Sequence, residues 1–85
     1  VTLNNWEKRI ENFARCRAHI LKAIHAKPGM TYVEIRLWIH ERFRYWQENI
    51  GARCRELYGL DYAKKMVDET GRVHVYPVEE NHSQK

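Results

Sequence analysis

"KPGMTYVEI" (27–35) decides how this chain folds. Pro28-Gly29 stops any helix that arrives from the N-terminal side. Two residues later, Thr31 and Glu34 stand three apart. In a capping box the Thr hydroxyl accepts the N–H of the third helical residue, and the Glu carboxylate reaches back to the Thr N–H. Met30 and Ile35 take the positions of a hydrophobic staple, which fixes the angle at which the chain enters the helix. A helix therefore starts at Tyr32, with its direction set relative to what precedes it.

Upstream, apolar residues recur at helical spacing: Ile10, Phe13, Ala14, Ile20, Leu21 and Ile24. They predict a first helix from Asn5 to about Ala26, capped by Asn4 or Asn5, with Glu7 favourably placed in its first turn. Arg9, Glu11, Arg15 and Lys22 fill the outer face. Downstream, Ile35, Trp38 and Ile39 give the second helix an inner face, and it ends near Ile39 or runs on to Phe43.

A third helix is expected from Trp46 or Gln47 to Tyr58. Trp46, Ile50, Cys54 and Leu57 form its inner stripe, and Glu48, Asn49, Ala52, Arg55 and Glu56 its outer face. Arg53 flanks the stripe. Gly51 costs this helix about 1 kcal/mol relative to Ala, which suggests the close approach of another backbone. Gly59 suits the left-handed residue that ends the helix, with Leu60 folding back.

After Leu60 the pattern alternates too fast for a helix. "YAKKMV" (62–67) and "RVHVYPV" (72–78) read as strands, joined through Asp68-Glu69-Thr70-Gly71 with Gly71 left-handed. Pro77 lacks an N–H for a sheet ladder, so its strand is an edge or ends there. The fold class is α+β, mainly helical with a C-terminal β-hairpin. Residues 1–78 form one domain, and "EENHSQK" (79–85) a loose polar tail.

Composition narrows the function. The 85 residues carry 15 basic and 11 acidic side chains, a net charge of +4. The tail holds two acids and one base, so the domain proper is at +5. That excess fits a polyanionic partner without demanding one. Cys16 and Cys54 fall on apolar helix faces and read as buried thiols of a reducing, cytoplasmic setting rather than a disulfide framework. No apolar run approaches the ~20 residues of a membrane span. The chain begins at Val1, as expected of a trimmed chain or a piece of a longer one. Cys16 and His19 are spaced like metal ligands, but no second pair accompanies them, so no metal is expected. With neither a glycine-rich phosphate loop nor a nucleophile elbow, no enzymatic activity and no cofactor are expected.

Helix, firmly started helix, helix, hairpin: this order resembles the winged helix-turn-helix family of bacterial and phage DNA-binding domains. The resemblance rests on "HAKPGMTYVEI" (25–35), "NIGARCRELYGL" (49–60) and "KKMVDETGRVHVYPV" (64–78) and covers roughly residues 10–78. Thr31 and Ile50 lie farther apart here than in compact members. Helix 2 is therefore a turn longer or its connection to helix 3 is enlarged.

The resemblance implies a regulatory or architectural domain that binds double-stranded DNA, in the cytoplasm or nucleoid. Helix 3 would enter the major groove, with Gln47, Asn49, Arg53 and Arg55 as readers; Arg pairs with guanine edges, Asn and Gln with adenine. The wing would offer Lys64, Lys65 and Arg72 to phosphates. Thr31, Tyr32 and Arg36 surround a helix N-terminus, which attracts phosphate. Arg42 and Arg44 would supplement them. Two rivals remain. One is a protein-interaction module anchored by exposed aromatics among Trp6, Tyr32, Tyr45, Tyr58 and Tyr62. The other binds single strands through "RFRYW" (42–46), whose aromatics could stack bases. A homodimer through Trp6, Ile10 and Phe13 of helix 1 is a further expectation.

Overall fold

A computed structural model describes residues 5–78 of the chain, with side chains from residue 7 onward. Asn5 is the first residue of α1, whereas Asn4, the side chains of Asn5 and Trp6, and the polar tail lie outside the described residues, and the expected N-cap with them. Three helices pack beside a three-stranded antiparallel sheet: α1 (Asn5–Ala26), β1 (Met30–Thr31), α2 (Tyr32–Phe43), α3 (Ile50–Gly59), β2 (Ala63–Val67) and β3 (Val73–Pro77).

The turn after α1 is built as its residues dictate. Gly29 is left-handed, at φ 87°. The capping box closes at both ends: the Thr31 N–H donates to Glu34 Oε1 (2.9 Å) and the Glu34 N–H donates to Thr31 Oγ1 (3.3 Å). Met30 and Ile35 both join the buried cluster. The same two residues that cap α2, Met30 and Thr31, also form β1. They pair with Val75 and His74 of β3, and the Gly29 N–H donates to the Val75 carbonyl. A two-residue strand leaves no periodicity to read, so it was not expected from sequence.

The sheet order is β1-β3-β2, which makes β3 central. Pro77 is tolerated because it is the last residue of β3. It pairs only with Ala63, beyond the reach of β1. The hairpin turn has the expected left-handed Gly71, at φ 89°, and the Gly71 N–H donates to the Asp68 carbonyl.

The core runs from Cys16, Ile20, Ala23 and Ile24 of α1 through Ile35 and Ile39 of α2. It continues through Ile50, Cys54 and Leu57 of α3 to Ala63 and Val75 of the hairpin. Burial pushes the Cys16 thiol up to about 11 and the Cys54 thiol up to about 12, so both stay protonated. Four expectations are corrected. Ile10 and Ala14 are exposed, because α1 outruns its neighbours and its first buried residue is Cys16. α3 starts at Ile50 rather than at Trp46 or Gln47. Arg44 turns left-handed and ends α2, and Asn49 caps α3 by accepting the Ala52 N–H. Both readings of the long Thr31–Ile50 spacing therefore apply: α2 reaches Phe43, and a six-residue connection follows. Gly59 remains helical. The left-handed residue is Asp61, two positions later, and Leu60 is exposed instead of folding back.

The two left-handed glycines separate strain from crowding. A Cβ at Gly71 would meet no atom within 4 Å, whereas one at Gly29 would come within 3.1–3.2 Å of the Tyr76 ring and hydroxyl. In urea unfolding, Gly71→Ala is expected to cost about 1–2 kcal/mol, the backbone penalty alone. Gly29→Ala should cost more, because Tyr76 must also move; equal losses would show that the Tyr76 contact carries no weight.

Candidate nucleic-acid interface

The residues expected to meet nucleic acid separate into three groups. The first gathers around Tyr32, at the start of α2. Its ring lies beside Gly51 of α3, 3.6 Å from where a Cβ would stand, and the Arg55 guanidinium borders the same spot at 3.4 Å. Its hydroxyl shares a 3.0 Å hydrogen bond with that of Tyr58. Burial, and then this bond, push the Tyr58 phenol far above its ordinary range, so it remains a neutral partner. Lys65 of β2 places Nζ 5.9 Å over the Tyr58 ring. Tyr32 also lines a cleft of about 520 Å³ between the start of α2 and the hairpin turn, together with Thr31, Glu34, Gly71 and Arg72. Tyr32 thus joins Arg55, Lys65 and Arg72, which come from three separate stretches of sequence. None of the three cations forms an ion pair with a described residue.

The second group has structural work. Arg53 is only 7% exposed, so its placement as a groove reader is corrected. Its guanidinium lies 3.6 Å from the Phe13 ring centroid of α1 and pairs with Glu56 Oε2 at 2.8 Å. Arg17 of α1 grips the other oxygen of Glu56 at 2.7 Å. Arg53 Nε is buried with no partner among the described residues. Glu56, expected on the outer face, therefore bridges α1 and α3. The Thr31 N–H and hydroxyl are taken by the capping box. The Glu34 carboxylate, held low chiefly by the Thr31 N–H, already occupies the anion position at this helix start.

The third group lies elsewhere. Lys64 pairs with Tyr76, and Lys65 with the buried Val75, so the two lysines emerge on opposite faces of the hairpin. Gln47 sits in the connection, not on α3, and the side-chain Oδ1 of Asn49 is used as the cap. Arg36 lies over the Trp46 ring at 5.5 Å, and Arg42 over Trp38 at 4.2 Å. Arg42 and Arg44 stand at the far end of α2, about 15 Å along the helix from Tyr32.

The aromatics of "RFRYW" are mostly committed to the fold. Phe43 stacks on His19 at 3.7 Å. The Tyr45 hydroxyl lies 2.7 Å from His19 Nδ1. Burial, the largest cause, lowers the His19 pKa and favours the neutral ring. Trp46 was expected in the core but is 51% exposed. It stacks on His40 at 3.8 Å, against the outer side of α2, which draws it away from Ile50 and Cys54. Of the helix-1 residues expected to meet a second copy, Ile10 is exposed, whereas Phe13 is engaged by Arg53.

A clasp at the hairpin turn was missed from the sequence. The Asp68 carboxylate accepts from the Thr70 N–H and hydroxyl and from the Arg72 N–H. Its other oxygen lies 2.7 Å from His74 Nε2, and His74 Nδ1 lies 2.9 Å from the Gly29 carbonyl. Both His74 neighbours are acceptors, so the doubly protonated ring satisfies both. The Asp-x-Thr-Gly turn was a signal for the Asp68 bonds. The His74 partner required knowledge of the strand register.

Comparisons with family models, with curated proteins and with solved structures give no match to this chain. Among the described residues no helix is long and apolar enough to cross a membrane, and no group of three or more His, Cys, Asp or Glu could hold a metal ion.

The clasp has a pH signature. The Asp68 bond first, and the Gly29 bond second, raise the His74 pKa above its ordinary 6.5. Thr70 first, then His74, lower that of Asp68 below its ordinary 3.8. The stabilisation is therefore complete between these two ordinary values. It is lost as pH rises through the elevated His74 pKa, and on the acid side as Asp68 protonates. An NMR titration should place the His74 midpoint above 6.5, and Asp68→Asn should return it most of the way; an unmoved midpoint would remove Asp68 as the cause.

Proposed function

We propose that this chain is a winged helix-turn-helix domain that binds double-stranded DNA through the surface around Tyr32. What supports the fold reading is the order of three helices and a hairpin, with α2 held at a fixed angle by its capping box. The observation that carries the functional reading is the convergence of Arg55, Lys65 and Arg72, none paired with a described carboxylate, about the Tyr32–Tyr58 pair.

In this reading α3 approaches the major groove with Arg55 outermost. Arg55 lies between Ala52 and Gly59 on the outward face, and small residues let the helix backbone come close. Lys65 and Arg72 of the hairpin meet the flanking phosphates. Lys64, next to Lys65 but pointing away from the Tyr58 ring, contributes only at long range. A regulatory or architectural role goes with a DNA-binding domain of this kind. A duplex is favoured over a single strand because Phe43 and Tyr45, aromatics that could otherwise stack bases, are already engaged inside the fold.

Fluorescence anisotropy with a random-sequence duplex and its single strand, at low and moderate salt, tests this. Two phosphate contacts, from Lys65 and Arg72, correspond to a log–log salt slope of roughly −1.8, at about 0.9 for each. Lys65→Ala should weaken binding and flatten that slope by about 0.9, Arg55→Ala should weaken binding with a smaller change of slope, and Lys64→Ala should be nearly neutral. Equal effects at Lys64 and Lys65 would place the contact elsewhere, and no binding to either strand form at low salt would sink the reading.

A further inference from the structure

α2 is apolar on both sides. Ile35 and Ile39 face the core, yet Val33 is 65% exposed and Leu37 47%. Such a helix is expected to be covered on both faces. Trp46 lies across the outer face, stacked on His40 with the Arg36 guanidinium over its ring, so its apolar surface is held in place. Val33, Leu37 and Trp46 line one groove of about 470 Å³, together with Arg36 and Glu48.

The charges of this groove indicate what covers it. Arg36 and Glu48 line the same groove, but neither forms an ion pair with a described residue. A two-fold contact must be self-complementary, each copy presenting the same patch to the other. A patch with an apolar centre and one charge of each sign meets that requirement, because the two-fold sets Arg36 of one copy against Glu48 of the next. A strongly acidic or basic partner would meet only one of these charges.

We propose that the outer face of α2 is the contact between two copies of this chain. Trp46 and Leu37 form its apolar centre, and Arg36 and Glu48 form reciprocal ion pairs across the two-fold. This face carries the contact in place of helix 1, where Phe13 is already covered by Arg53. Val33 lines both this groove and the cleft that holds Arg72, so the contact lies beside the proposed DNA surface. A preformed, exposed Trp is the kind of side chain that dominates association.

Sedimentation velocity from micromolar to millimolar chain tests this without nucleic acid. A monomer–dimer equilibrium is expected. Leu37→Glu should weaken it by roughly tenfold or more, as removal of a central anchor does, while circular dichroism confirms that the exposed substitution leaves the fold intact. Arg36→Glu and Glu48→Arg should each weaken the dimer, and the double swap should restore most of it. A chain that stays monomeric at millimolar concentration overturns the proposal. So does a dimer that survives Leu37→Glu but is lost in Ile10→Glu, which would place the contact on helix 1. A double swap no better than the single changes overturns the reciprocal pairing.

Discussion

Met30 and Thr31 satisfy two sets of demands at once, and the arrangement of the other elements depends on them. As the residues before α2 they supply the staple and the cap; as β1 they pair with β3. A helix N-terminus leaves N–H groups unpaired, and a sheet edge leaves others. Here one short segment meets both needs, so the direction of α2 and the position of the sheet are not independent. Tyr32 follows directly, and its ring is thereby aimed at Gly51 and Tyr58 of α3. The left-handed Gly29 makes the segment possible, because the chain must reverse from α1 into β1 within three residues, under the ring of Tyr76.

The cations divide by what lies beneath them. Arg17 and Arg53 share Glu56 and fasten α3 to α1, with Arg53 flattened on Phe13. A buried arginine left without its carboxylate is strongly destabilising, so this pair serves the helix packing and is closed to other partners. Arg36 and Arg42 spread over tryptophans. Only after these are set aside does the positive charge around Tyr32 stand out. The net charge of +4 therefore says little about where an anion would bind; the pairing of each side chain says more.

Much of this was legible before the structure. The bounds of α1, the capping box and the two hairpin strands followed from breaking residues, fixed offsets and alternation, which are local rules. What was not legible depended on neighbours. Ile10 and Ala14 have helical spacing, but periodicity tells which side of a helix is apolar and not how far its partners extend. Trp46 stands four residues before Ile50 and mimics the stripe of α3. Yet the chain at 44–49 is not helical, and His40 offers its ring a nearer surface. Arg53 only flanks the stripe in sequence; the ring of Phe13, forty residues away, and the Glu56 carboxylate held by Arg17 make its burial tolerable. The grouping of Arg55, Lys65 and Arg72 could be guessed only as separate contributions, since nothing local links them through Tyr32.

The packing of α3 limits what its outer face can do. It has ten residues, and it touches α1, α2 and β2. Ile50, Arg53, Cys54 and Leu57 turn inward, Glu56 leans to α1, and Gly51 and Tyr58 lie against Tyr32. What remains outward is Ala52, Arg55 and Gly59, one side chain of reach between two that have almost none. A helix so enclosed offers a single long donor at close range, with the hairpin cations around it. On the DNA reading, affinity would come mainly from phosphates and register from the shape of the Tyr32 surface, with Arg55 the sole α3 side chain able to distinguish one base pair from another. Discrimination over several base pairs would then require more than one such surface on the same duplex. A paired chain would provide this by symmetry, each copy adding its own arginine at a spacing set by the contact between them.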